Sequence, residues 1–517
     1  MCNRRTSLSI LISVLLTTVE AQIQTAEECP AGAAQCDAVP ELLSWAAAHG
    51  AQCDRLQTDN TLAIRGLRAT TDIPGGSVIV SLPRSLALSV SPSQSCPILH
   101  LIPEDVWSSS IKNFQLALLF LAESKKGRDS AWYPYIQTLP QHVDSLVHWS
   151  DTELHELQYG ATEPEQQFLQ EAKQQLDDIR ELYWKLESSG LVTELNSTLE
   201  DVVWASDIVR SRAFAISTPE GWLSPKSIGI AAFMANVVLR IPVFSQWQAT
   251  KRIISIARSV TFMCIGAILF GTQHVGNMDL ALLPVIDSIN HNSSSLGHLQ
   301  PGGGGTTVEA VIGPDGAQAF QEVTAAYATA SNEVLLQHYG FVDMDNAHDE
   351  YTANILSFIE ENVIDQPNEE QLQDVYASPV LKSSLSQAKL TSQGWSTETV
   401  TALRFLLASE EESRAAKSLL PLRWVTQVVK YRQLPTPGYV FKEAQSHATE
   451  TRVDQVLSSM CRDISKSKPT SLGDDETALA QLQQTNSATY RRKLALQFRI
   501  GYKSLLNKCI LQHNISS

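Results

Sequence analysis

The chain reads as an α+β protein: a small twisted core of β-strands, split by one helical insert and followed by an all-helical C-terminal domain. Three stretches carry that reading. From Asn60 to Ser89, short apolar strands alternate with turns. Between Phe168 and Leu186 apolar residues recur at spacings of three and four, the period of a helix. Beyond Asn346 the pattern returns to helical spacing with few strands. At 517 residues the chain exceeds one ordinary domain, and two or three are expected.

In chain order, residues 1–21 read as a secretory signal. Arg4 and Arg5 form a basic start, Ser7 to Val19 an apolar stretch, and Val19-Glu20-Ala21 offers small residues for cleavage. The stretch is too short to span a membrane. Cys29, Cys36, Cys53 and Cys96 are then expected to form disulfides in an oxidising compartment. Sequons at Asn196, Asn292 and Asn514 are compatible with that route, although such triplets also arise by chance in a chain this long. Entry into the secretory pathway is the expectation; a plastid reached by that route, or the cytoplasm, stays open.

Arg65 to Pro74 lies within the stretch of alternating short strands and turns. Asp72-Ile73-Pro74-Gly75-Gly76 is a turn, where Pro fixes φ and Gly accepts positive φ, and Ser77 to Leu82 forms the next strand. Phe114, Leu118, Leu119 and Leu121 punctuate one helix. A second opens on the capping box Thr162-Glu163-Pro164-Glu165, buries Phe168, Ala172, Leu176, Ile179, Leu182 and Leu186, and stops at Gly190. Ile228–Phe244 and Ile253–Phe270 are strongly apolar. Arg240, Lys251, Arg252 and Arg258 interrupt them, so 225–275 is expected to form loosely packed helices outside the core and not a membrane hairpin. Near the end, Arg491, Arg492, Lys493, Arg499, Lys503 and Lys508 alternate with Leu494, Phe498, Ile500 and Leu505, the pattern of a solvated helix face.

Composition narrows the function. With 43% hydrophobic and 18% charged residues the chain can bury large cores. A net charge of −16 argues against a nucleic-acid partner. No cysteine spacing suits zinc, and no cysteine lies in a nucleophile motif.

The most informative motif is Leu283-Pro284-Val285-Ile286-Asp287-Ser288-Ile289-Asn290-His291, followed by Tyr327 and by Tyr339-Gly340-Phe341. With Ser211-Arg212-Ala213-Phe214 upstream and Ser130 to Pro140 between the helices, it resembles the SET-domain methyltransferases, in the subgroup of the Rubisco large-subunit lysine methyltransferase. The resemblance implies a SET core in two parts, 40–95 and 206–345, a helical insert at 96–205, and a substrate-binding domain at 346–510.

What the resemblance implies for chemistry is specific. S-adenosyl-L-methionine is the methyl donor, no metal is needed, and the partner is a lysine-containing protein met by a monomer, with no firm membrane association. Tyr327 is the catalytic tyrosine and Tyr339 lines the lysine channel opposite. Arg65, Gly66, Leu67, Arg212, Asn290, His291 and Phe341 contact the donor, Arg212 facing its carboxylate. Phe214 and Asp287 contact the acceptor. Two departures from the family pattern stand out, the first a longer connection from Phe214 to Asp287 that holds 225–275. The Thr307–Tyr327 hairpin is about ten residues short by comparison with the resembled pattern, and Ala328 replaces the usual glycine. An inactive SET scaffold and a histidine acceptor are therefore kept as alternatives. The actin-directed histidine enzymes lack the tyrosine of Tyr-Gly-Phe, which here favours lysine.

Overall fold

The computed structural model describes residues 33–59, 65–91, 95–98, 102, 104–217, 278–327, 329–362, 367–415, 441–485 and 489–514. The expected signal at 1–21, Cys29, the insertion at 225–275 and Ala328 lie outside the described residues.

Ten short strands build the core around the site. They are β1 (Leu56–Asp59), β2 (Gly66–Ala69), β3 (Val78–Pro83), β4 (Leu88–Val90), β5 (Ala213–Ser217), β6 (Met278–Leu282), β7 (Asn290–His291), β8 (His298–Gly302), β9 (Thr307–Val311) and β10 (Glu322–Ala325). Among the described residues they form three small sheets, in the orders β1-β2-β10-β7, β3-β9-β8 and β4-β6-β5. The pairing that matters most is β10 with β7. It is parallel, with Thr324 beside Asn290 and Ala325 beside His291. Two segments 34 residues apart are thereby brought side by side, and Tyr327 leaves β10 next to the Asn-His pair. The turn before β3 needs its glycines. A Cβ on Gly75 would stand 1.7 Å from the carbonyl oxygen of Pro314, and Gly76 sits at φ +73°.

The insert supplies three long helices, α1 (Lys112–Lys125), α2 (Glu163–Ser188) and α3 (Leu199–Arg212). The capping of α2 is as read from the sequence. Glu165 Oε2 accepts from the backbone N–H groups of Gly160, Ala161 and Thr162 at 2.9, 2.8 and 3.3 Å. Gly190, at φ +84°, turns the chain away at the other end. Phe168, Ala172, Ile179, Leu182 and Leu186 are buried, with Leu176 half-buried. The insert does not keep to one core. Ile179, Leu182 and Leu186 join the strand core, whereas Tyr159, Phe168 and Ala172 join the core of the C-terminal part.

The C-terminal part is mainly helical and ends in α4 (His447–Lys466) and α5 (Tyr490–Asn514), with one further helix between them. It is not all-helical: β11 (Glu350–Ala353), β12 (Ala388–Thr391) and β13 (Gly394–Trp395) form a three-stranded antiparallel sheet. Lys- and Gly-containing strands of two to four residues carry too little apolar alternation to be seen in sequence.

Two further expectations are corrected. The face of α5 is not uniformly solvated: Arg492, Lys493 and Lys508 are exposed, but Arg499 and Lys503 are buried. Both pair with buried Asp475, Lys503 Nζ at 2.6 Å, which offsets the cost of taking the charges out of water. Cys53 and Cys96 are buried thiols. The disulfide found among the described residues instead ties α4 to α5 through Cys461 and Cys509. No described helix is long and apolar enough to cross a membrane.

Candidate active site

A cleft of about 1210 Å³ opens between β5, β7, β10, the 339–345 segment and the first turns of α5. Arg212, Phe214, Asp287, Asn290 and His291 line it from one side, and Tyr327, Tyr339 and Phe341 complete the wall. Eight of the eleven residues singled out in the sequence therefore converge. Arg65, Gly66 and Leu67 do not line it. The Arg65 guanidinium donates to the Thr138 carbonyl, Gly66 pairs with Asp59 in the β1–β2 ladder, and Leu67 is buried in the core beside Val323.

The backbone entering the site is strained. Val285, fully buried, sits at φ +72°, ψ −50°, a conformation that a β-branched residue rarely takes. It reverses the chain between β6 and β7, so that Asp287, Ile289, Asn290 and His291 follow in quick succession at the cleft. Strain of this kind persists only where surrounding contacts over-determine it.

Those contacts are visible. Arg212, the last residue of α3, donates through Nη1 to the Asp287 carbonyl at 2.8 Å and faces the Asp287 carboxylate at 3.5 Å. Tyr135 of the insert donates its hydroxyl to the same carboxylate at 2.7 Å. Burial pushes the Asp287 carboxyl up from its ordinary value, against the pull of Arg212 and Tyr135. Asp287 thus supports Arg212 through Oδ2, while its buried Oδ1 has no hydrogen-bond partner among the described residues. Asn290 donates its amide to Glu322 at 2.8 Å, across the β7–β10 junction.

Tyr327 is held at both ends. Its backbone N–H donates to His291 Nδ1 at 3.0 Å, and its hydroxyl donates to the Ile289 carbonyl at 2.8 Å. Burial pushes its pKa up to about 12, so the phenol keeps its proton. Burial also lowers the pKa of His291, which keeps that ring neutral. Tyr327 and Tyr339 face each other with ring centroids 5.1 Å apart, and Phe341 closes the cluster at 5.5 Å from His291. Gly340 between them takes φ +74°, and a Cβ there would stand 2.6 Å from the Asp144 carbonyl, so the turn can seat on the insert only as glycine.

Three groups at the site were not singled out as site residues in the sequence. Tyr135 lies in a motif of the insert, but its contact with Asp287 spans 152 positions. Asp144 takes Arg491 of α5 at 2.7 Å. Tyr490, Lys493 and Gln497 recur at helical spacing and border the cleft, yet among so many basic residues they read as surface.

The comparisons match this architecture. Solved structures of the SET domain of LSMT bound to lysine and AdoHcy superpose over 93% of this chain and 91% of theirs, with a TM-score of 0.56 at 18% identity. Rubisco LSMT bound to AdoMet superposes over 92% of each chain, with a TM-score of 0.55. Residues 356–506 match the family described as Rubisco LSMT substrate-binding. The chain shares the fold of these SET-domain structures. In sequence, the chain is 28% identical over 188 residues to the actin-histidine N-methyltransferase of Homo sapiens, and 29% identical over 190 residues to that of Danio rerio. These alignments cover 36% of this chain and under a third of the relatives' own length, 32% and 31%.

The cleft suits a ligand of the AdoMet type. Arg212 commits Nη1 to Asp287, and its other N–H donors meet no acceptor among the described residues, so a half-buried cation remains to meet a carboxylate. Phe341 offers an aromatic face. Among the described residues no group of three or more His, Cys, Asp or Glu side chains is placed to hold a metal ion.

Proposed function

We propose that this protein transfers a methyl group from S-adenosylmethionine to a lysine side chain of a protein substrate. The observation that carries the proposal is the state of Tyr327. Its hydroxyl proton is committed to Ile289, so its oxygen is left with lone pairs at the cleft. An acceptor oxygen of that kind suits a positively polarised methyl group and an attacking amine, both of which offer hydrogen.

When bound, S-adenosylmethionine supplies a methyl carbon already activated by its sulfonium. The chain's part is to hold and align. Arg212 would pair with the donor's carboxylate, Asn290 and Phe341 would fix its other end, and Phe214 would wall the acceptor side. Neither Tyr327 nor His291 is available as a base: the phenol keeps its proton up to about pH 12, and His291 Nδ1 is already occupied by the Tyr327 N–H. The acceptor amine would therefore arrive neutral after losing its proton to solvent.

Lysine is favoured over histidine because Tyr339 confronts Tyr327 with a second hydroxyl-bearing ring. The second reading, a histidine acceptor, draws on the actin-histidine relatives. The deciding experiment is incubation with labelled donor and an extract of the source organism, followed by hydrolysis and analysis of the labelled residue. Methyllysine supports the proposal and methylhistidine replaces it. Donor binding without any transfer favours a scaffold, and calorimetry with no heat of donor binding removes both enzyme readings.

A further inference from the structure

His291 accepts the backbone N–H of Tyr327 at 3.0 Å through Nδ1. A backbone N–H only donates, so Nδ1 must be the bare nitrogen, and a neutral ring then carries its proton on Nε2. That nitrogen is buried and faces the carboxylate of Asp343, with Oδ2 at 3.5 Å. Asp343 is itself anchored. Its Oδ1 accepts the Asp345 N–H at 3.0 Å. The Asn332 amide brackets its backbone, donating to the Asp343 carbonyl and accepting the Asp343 N–H, each at 3.0 Å. Asn332 is fixed in turn by Asp349, which accepts from its backbone and its amide at 2.9 Å each.

We infer that Asp343 is a positioning residue for the methyl transfer proposed above: it sets the tautomer and orientation of His291, and through that ring fixes Tyr327 at the end of β10. The inference rests on that reading of the cleft. Its logic is that the hydroxyl of Tyr327 is held only as well as its backbone, and the backbone N–H at that residue has His291 as its partner. The groups facing the imidazole are the Asp343 carboxylate, His348, the Tyr327 ring at 5.2 Å and the Phe341 ring at 5.5 Å. Among them only Asp343 offers an anion to the Nε2 proton. Burial lowers the pKa of His291 more than Asp343 raises it, which agrees with a neutral ring.

The test combines nitrogen NMR of His291 with kinetics of Asp343→Ala and Asp343→Asn. In the wild type His291 should carry its proton on Nε2. Asp343→Ala should lower kcat by about 10²-fold, the scale of a roughly 1 Å misplacement at a reacting centre, with donor affinity little changed. Asn has one oxygen and can serve His291 or the Asp345 N–H but not both, so Asp343→Asn should fall between wild type and Asp343→Ala. In either variant His291 should titrate at lower pH than in the wild type, which a merely structural defect would not produce. A wild-type His291 protonated on Nδ1, or Asp343→Ala with wild-type turnover, overturns the inference. Should no extract yield turnover, the proposed function falls, and the NMR arm still decides: an unchanged His291 titration in both variants sinks the role given to Asp343. Asp343→Asn carries the test if Asp343→Ala does not fold.

Discussion

Replacing Tyr327 by Phe removes one oxygen and almost no volume. In the folded protein that oxygen makes one hydrogen bond, to the Ile289 carbonyl at 2.8 Å. Its loss costs about 1 kcal/mol, small against a domain stability of roughly 5–15 kcal/mol, so the variant should fold. Arg212, Asn290 and Phe341 are untouched, and donor affinity measured by calorimetry should be unchanged. The rate should not be. Loss of one preorganised group at a transition state costs about 10²–10³-fold, or about 2.7–4 kcal/mol. With the phenol pKa at about 12, what is removed is an oriented dipole and not a base. Rates of wild type and variant should therefore rise in parallel with pH, as the acceptor lysine is deprotonated from a reference value near ~10.4. Labelled-methyl incorporation measured between pH 7 and 10 provides the assay. Undiminished turnover by Tyr327→Phe would show that the wrong tyrosine has been chosen. A pH dependence that flattens only in the variant would show that the phenol acts as a base.

Other consequences are testable separately. Arg212→Ala should weaken donor binding by about 1.5–3 kcal/mol, the range for a hydrogen bond to a charged group, and calorimetry would detect it. Glu333 is buried against Tyr159, and burial raises its carboxyl to about 7. Because this folded value lies above the unfolded one, folded Glu333 keeps a proton that the unfolded chain releases between pH 4.5 and 7. Stability is then lost as pH rises through that window, by up to about 3 kcal/mol. Glu333→Gln should raise the Tm at pH 8 and leave it unchanged at pH 4; equal Tm values at pH 8 would refute the assignment. Lys468, 1% exposed, pairs with Glu165, 0% exposed, and lies over the rings of Tyr159 and Tyr502 at 5.5 and 5.3 Å. Lys468→Met should cost about 3–5 kcal/mol in denaturant unfolding by leaving the carboxylate uncompensated, and a loss below ~1 kcal/mol would show that Tyr351 and the capping N–H groups suffice.

The elements that were legible in sequence are those specified locally. The period of α2, its capping box and the glycine after it depend on residues within a turn of each other, and they appear where the pattern puts them. The turn at Gly75-Gly76 is of the same kind. What escaped was specified at a distance. β11–β13 are two to four residues long and are held by the helices around them. Arg499 and Lys503 look like solvated charges until Asp475, 24 and 28 positions earlier, is brought beneath them.

The site divides the same way, and the division says something about its chemistry. The residues that the motifs name converge because the parallel pairing of β7 with β10 brings two motif segments together. The residues that hold them were not named for that role: Tyr135, within the insert motif, sits beneath Asp287, and Asp343 behind His291 and Asp144 under Gly340 carry no motif. A cleft that relies on alignment, with no metal and no covalent nucleophile in its proposed chemistry, depends on such supports as much as on its lining. Val285 makes the point from the backbone. A β-branched residue at positive φ is costly in isolation, by about 1–3 kcal/mol, and no propensity argument would place it there. It is tolerated because Asp287, two residues on, is clamped by Arg212 from α3 and Tyr135 from the insert. The insert is therefore part of what shapes the cleft: it packs into both cores and reaches Asp287 through Tyr135.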